Sequence, residues 1–173
     1  KQKEKDLIRS INREEKQLIG KSPAMMQVLK TVDKVAKTNT NIMITGENGT
    51  GKELIARRIH SMSLRSNELM VTVDMGAISE TLFVSELFGH VKGAFTDAHE
   101  NRTGKFELAN RGSLFLDEIA NLPLNLQSKL LVALQNREVT RVGANQPKPI
   151  DIRLICATNR DLNHLVDNGD FRE

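Results

Sequence analysis

The apolar run Ile42-Met43-Ile44 leads directly into Gly46-Glu47-Asn48-Gly49-Thr50-Gly51-Lys52-Glu53, and a helix-forming stretch with Leu54, Ile55, Ala56 and Ile59 follows. A strand that ends in a glycine-rich turn and restarts as a helix leaves few folds open. The helix must cover the strand it follows, and repeated units of that kind build a parallel sheet flanked by helices. The same order has a chemical consequence. Backbone N–H groups of the turn and of the helix start present partial positive charge to a polyphosphate. Glycines let the backbone approach closely and take positive φ, and Lys52 adds a point charge near the terminal phosphates. The segment reads as a cradle for a nucleoside triphosphate.

The rest of the chain repeats the alternation. Strands are predicted at about 41–45, 69–73, 113–116 and 150–157. Ser22-Pro23 is a helix-start signal, and Met25, Met26, Val28, Leu29, Val32, Val35 and Ala36 continue at helical spacing. A helix after Pro123 carries Leu126, Leu130, Leu131 and Leu134 on its apolar face, Val139–Val142 is a short extended piece, and Gly143–Pro149 is turn-rich. Asp161 caps a short helix ending near Asn168-Gly169. Residues 1–17 are dense in charge, with Leu7, Ile8, Ile11 and Leu18 marking a thin apolar stripe. They are expected to form a linker helix, the end of a coiled coil, ahead of one α/β unit over residues 18–173. The chain opens without Met, as a piece excised from a longer protein would. Ligands of such a sheet bind at the carboxyl ends of its strands.

Composition narrows the function classes. Aromatic residues make up 3% of the 173, with no Trp or Tyr, which argues against stacking platforms for single-stranded nucleic acid. A net charge of +3, with basic and acidic residues interleaved, describes a solvated surface rather than a DNA-binding face. The single cysteine, Cys156, rules out an internal disulfide and lies in the apolar run Leu154–Ala157, where a buried small residue is expected. No stretch reaches the roughly 18 apolar residues of a membrane span, and no signal peptide opens the chain, so a cytoplasmic location away from membranes is expected. His60, His90, His99 and His164 lack metal-ligand spacing and are expected on the surface or in packing.

Asp117-Glu118 follows the strand at 113–116, which puts two carboxylates at the carboxyl edge beside the cradle. Asp117 suits coordination of Mg²⁺, a hard cation that prefers oxygen ligands. Glu118 suits activation of a water in line with the γ-phosphate. Asn159, after the strand ending at Thr158, lies where a polar side chain reads the γ-phosphate or orients that water. Position 53 departs from the general cradle pattern, being Glu where Ser or Thr usually contacts Mg²⁺.

With Glu53 included, the cradle resembles that of the bacterial enhancer-binding proteins, the NtrC-type AAA+ activators of sigma-54 RNA polymerase. Other segments agree in order. Ser85-Glu86-Leu87-Phe88-Gly89-His90 precedes Gly93-Ala94-Phe95-Thr96-Asp97-Ala98; Gly112–Glu118 resembles the family's second nucleotide motif; Ala157–Leu162 resembles its sensor segment; Phe171-Arg172 resembles the start of its arginine-finger region. The match runs over about residues 18–173. It implies a P-loop NTPase of AAA+ type, a hexameric ring using ATP and Mg²⁺, with ATP between subunits. It implies that Ile19 and Gly20 lie against adenine and that Arg172 reaches the neighbour's γ-phosphate. It further implies that residues 93–98 contact sigma-54 and move with the nucleotide state, so that hydrolysis remodels the closed complex of the sigma-54 RNA polymerase holoenzyme. A second finger arginine, the helical lid and the DNA-binding domain would belong to parts of the protein outside this chain.

Two positions depart from the family pattern. Asp97 stands where the family usually has Gly; Asp tolerates left-handed backbone better than most residues, so the turn is expected to survive with sigma-54 contact preserved. Asp74 stands where the family often has an Asn that restrains the catalytic Glu. Asp74 and Glu118 then either share a proton or stay apart, and Asp74 is a possible switch. Two other functions fit the cradle and Asp117-Glu118: an AAA+ chaperone-like remodelling ATPase, which would lack Gly-Ala-Phe-Thr, and an ATP-binding regulator that no longer contacts sigma-54.

Overall fold

The computed structural model describes residues 22–172. The expected linker helix over 1–17, and Ile19 and Gly20, lie outside them. Helix α1 (Pro23–Ala36) starts where Ser22 accepts a hydrogen bond from Met25 N. Then follow β1 (Ile42–Thr45), α2 (Lys52–Ser61), β2 (Met70–Asp74), α3 (Glu80–Phe88), the two-residue strands β3 (Gly89–His90) and β4 (Arg102–Thr103), and α4 (Lys105–Leu108). After these come β5 (Ser113–Asp117), α5 (Leu124–Asn136), the short β6 (Glu138–Val139) and β7 (Lys148–Pro149), β8 (Arg153–Thr158) and α6 (Leu162–Asp167).

The main sheet has the order β1-β8-β5-β2, all parallel. Side chains alternate across a strand, and the central strands are apolar on both faces, as a sheet covered on both sides requires. Leu114, Leu116, Leu154 and Cys156 face one layer with Phe83, Leu87, Leu126 and Leu130 from α3 and α5. Phe115, Ile155 and Ala157 face the other with Val32, Ile55, Ala56 and Ile59 from α1 and α2. Burial pushes the Cys156 thiol up to about 12, so it is a neutral packing group. On α5 the buried stripe is Leu126, Gln127, Leu130 and Ala133, while Leu131 faces solvent. The expected stripe placed Leu131 inward, but a residue five positions after Leu126 lies well off its helical face.

Two polar groups tie the layers together. Arg153, fully buried at the start of β8, donates to the carbonyls of Val35, at 2.7 Å, and Ala36, at 2.8 Å. A cation at the negative end of α1 is favourable there, although burial, with the charge of Arg65, lowers its pKa. His60, at the end of α2, lies 3.1 Å from the carbonyl of Glu68 and 2.8 Å from Ser113 Oγ at the start of β5. Nε2–H donating to the carbonyl leaves Nδ1 to accept from the hydroxyl, the neutral tautomer that satisfies both. Burial lowers the His60 pKa in the same sense.

Candidate active site

Parallel strands bring their carboxyl ends to one edge, so Thr45, Asp74, Asp117 and Thr158 all deliver the residues after them to the same place. Gly46 N donates to Thr158 O at 3.2 Å, fastening the cradle to the sheet. Gly49 and Gly51 have φ of 79° and 85°, the left-handed region that favours glycine. Thr50 closes the turn by donating to Glu47 O through both N and Oγ1. Gly51 caps α2 without a side-chain bond, so the first N–H groups of the helix face the cradle. Glu53 makes an ion pair with Arg57 at 2.7 Å one turn on.

Lys52 is buried and its ammonium is engaged on several sides. Nζ donates to Gly46 O at 3.1 Å and Glu47 O at 3.2 Å, and it lies 3.5 Å from Glu118 Oε1. Glu118 reaches it because the backbone leaves β5 in a left-handed turn, with φ 54° and ψ 48° at that residue. Asn159 completes the group: its N–H donates to Glu118 Oε2 at 3.4 Å and its Nδ2 donates to Asn48 Oδ1 at 2.9 Å. Asn48, Lys52, Glu118 and Asn159 therefore form one connected cluster. The Asn48 side chain is a member that sequence reasoning, which used only its backbone, did not assign.

Asp117 is partly buried, and burial raises its pKa; the charges of Glu118 and Asp74 push the same way, against the Glu118 N–H and Lys52. Excess negative charge on hard oxygen donors fits a divalent cation, which would relieve it. Asp74 pairs in register with Asp117, and its Oδ1 accepts from Gly76 N at 2.8 Å. Glu118 is engaged by Lys52 and Asn159. Arg172 is exposed, and its N–H donates at 2.9 Å to the buried Gln127 of α5. Phe171 beside it packs on the core.

Residues 93–98 form a separate feature. Their stem is the β3–β4 ribbon, and Val142 joins it, donating to Gly89 O and accepting from Val91 N. The turn closes with Gly93 N donating to Ala98 O at 2.8 Å and Ala98 N to Phe95 O at 2.9 Å. Phe95 is 43% exposed. Gly93 carries the positive φ, 81°, and Asp97 does not. The expectation that Asp97 must tolerate left-handed backbone is corrected: the turn places that demand on Gly93. Glu107 of α4 clamps the neighbouring hairpin, taking Arg141 bidentately at 2.5 and 2.8 Å and Lys148 at 2.8 Å. The Arg141 hydrogen bonds lower the Glu107 pKa.

Residues 18–173 match the family model described as the Sigma-54 interaction domain. The chain belongs to this family. This sigma-54 interaction domain is 49% identical over 165 residues to the formate hydrogenlyase transcriptional activator FhlA of Escherichia coli, covering 95% of the chain and 24% of FhlA. It is 52% identical to the E. coli regulatory protein AtoC over 156 residues, covering 90% of the chain and 34% of AtoC. Among solved structures, NtrX from Brucella abortus in complex with ATP superposes with a TM-score of 0.85 at 38% identity, covering 99% of the chain and 38% of NtrX. The P-loop NTPase domain of an E. coli sigma-54 activator, at 21% identity and a TM-score of 0.57, covers 89% of the chain and 87% of that domain and shows the shared fold. The sigma-54 interaction domain thus spans about a quarter to a third of these curated relatives and has the P-loop NTPase fold of AAA+ type. Among the described residues no helix is long and apolar enough to cross a membrane.

Proposed function

We propose that this chain is the ATP-binding and hydrolysing domain of a sigma-54-dependent transcriptional regulator. The observation that carries the reading is the cluster of Lys52, Glu118 and Asn159 at the mouth of the cradle. A bound triphosphate would take the N–H groups of residues 49–52 and draw the Lys52 ammonium from the carbonyls of Gly46 and Glu47 onto its β- and γ-oxygens. Glu118, released from Lys52, would then accept a proton from a water held in line with the γ-phosphate, with Asn159 turning from Asn48 to orient that water. Asp117 would hold Mg²⁺, which supplies charge neutralisation on the phosphates. Arg172, exposed on a backbone fixed by Gln127, is free to act on a neighbouring subunit, where such a finger stabilises transition-state charge.

In this reading Ile19 and Gly20 contact adenine, the active form is a hexameric ring in the cytoplasm, and Asp74 tunes the carboxylate pair. Residues 93–98 transmit the nucleotide state to sigma-54 RNA polymerase, with Phe95 and Thr96 as the contact pair, and DNA is engaged by a domain elsewhere in the protein. Phosphate release by the full-length protein is the test. Glu118→Gln is expected to lower turnover about 10²-fold or more while nucleotide binding persists; unchanged turnover would remove Glu118 from the chemistry.

A further inference from the structure

The stem beneath residues 93–98 contains a ring that the reading above does not use. His90 is one of the two residues of β3, pairs with Arg102 in β4, and bridges to Val142 on its other side. Its imidazole is buried, with Nδ1 2.7 Å from Ser85 Oγ in α3. The ring meets Phe95 edge to face, centroids 4.9 Å apart and planes at 66°, the geometry aromatic pairs prefer.

The two rings are held very differently. That of His90 is fixed by the ribbon and the Ser85 hydroxyl. That of Phe95 rides on a turn that leaves the stem at Gly93, in left-handed backbone with open space around the Cβ position. A change of φ and ψ there would lift the turn, and it would separate the rings.

We propose that His90 is a positioning residue: its ring is the seat that holds Phe95 against the stem and sets how readily the loop offers Phe95 to its partner. This rests on the reading of residues 93–98 as the sigma-54 contact. One edge-to-face pair is worth about a fivefold change in an equilibrium, enough to bias the loop without locking it.

The test uses full-length protein and two readouts. The first is acrylamide quenching of Trp fluorescence in a Phe95→Trp variant, read as the difference from the parent protein so that any Trp outside residues 1–173, which contain none, cancels. Adding His90→Gln is expected to raise quenching, and His90→Phe, which restores a ring, to return it towards the parent. The second is binding of purified sigma-54 with and without ADP–aluminium fluoride. His90→Gln is expected to raise nucleotide-free binding about fivefold, to leave turnover without sigma-54 unchanged, and to have no further effect in a Phe95→Leu background. Quenching that ignores the residue at 90 overturns the seat, as does an effect on binding that persists without Phe95. If quenching responds but sigma-54 binding is indifferent to Phe95→Leu, it is the reading of the loop as the contact that falls.

Discussion

The cradle at 46–53 and the loop at 93–98 are both glycine-bearing turns, yet the fold holds them by opposite means. The cradle is tied to the sheet itself: Gly46 N to Thr158 O, Lys52 to Glu118 after β5, Asn48 to Asn159 after β8. The loop stands on a stem two residue pairs long, braced by the hairpin that Glu107 clamps and by one ring contact. The two carbonyls and the carboxylate around the Lys52 ammonium are acceptors of the kind that phosphate oxygens can replace. The loop's contacts run to the ribbon beneath it and to Gly143 of the adjacent hairpin, with none of the cradle's ties to the main sheet. In the proposed function the first region exchanges partners and the second changes position.

That contrast can be broken most directly at Lys52. Lys52→Ala is expected to weaken ATP binding or turnover by about 10²- to 10³-fold, with a far-UV spectrum and melting temperature near wild type; a protein that still hydrolyses ATP at the parent rate would deny the cradle its role. Glu107→Gln should do the reverse. It leaves Arg141 and Lys148 short of their carboxylate, a loss of about 1–3 kcal/mol, seen as a melting temperature about 5 °C lower with nucleotide affinity retained. The sign is checkable by pH. The Glu107 pKa is lowered from 4.5 in the folded state, so its contribution is present above that value and fades as pH falls through the folded pKa; the stability gap between wild type and Glu107→Gln should close on acidification.

The smallest effect is expected of Asp74→Asn. The Asp74 charge helps raise the Asp117 pKa, so its removal lets Asp117 ionise at lower pH. The acid limb of the ATPase pH profile should then move to lower pH with little change at neutral pH. An acid limb that stays in place would take Asp74 out of the electrostatics of the site.

The sequence made the cradle side of this comparison legible and left most of the loop side obscure. Strand, turn, Lys and helix are adjacent in the chain, and Asp117, Glu118 and Asn159 each follow an apolar strand, so a parallel sheet brings them together without further information. The support of the loop combines pairs far apart in sequence, Glu107 with Arg141 and Gly89 with Val142, with the contacts of His90 to Ser85 and to Phe95, five residues away on either side. No local period announces them. Helices α3 and α4 are not announced by the sequence: Gly89 follows the one and Gly104 precedes the other, and neither glycine signals its reason in sequence. In the structure a Cβ at either glycine would strike backbone across the β3–β4 ribbon. The histidines show the same limit. His60 and His90 do pack, as expected, but their hydroxyl partners Ser113 and Ser85 are visible only in three dimensions.

The backbone at Glu118 has a cost that the fold must carry. A residue with a Cβ in left-handed conformation gives up about 1–2 kcal/mol relative to the ordinary helical region, and this one does so immediately after β5, a strand buried from Ser113 to Leu116. Selection for thermal endurance alone would favour Gly or Asn at this position, each at ease in that conformation. A glutamate there is therefore a place where durability is surrendered, and under the proposed role of Glu118, homologues that have abandoned hydrolysis would be freed to recover it.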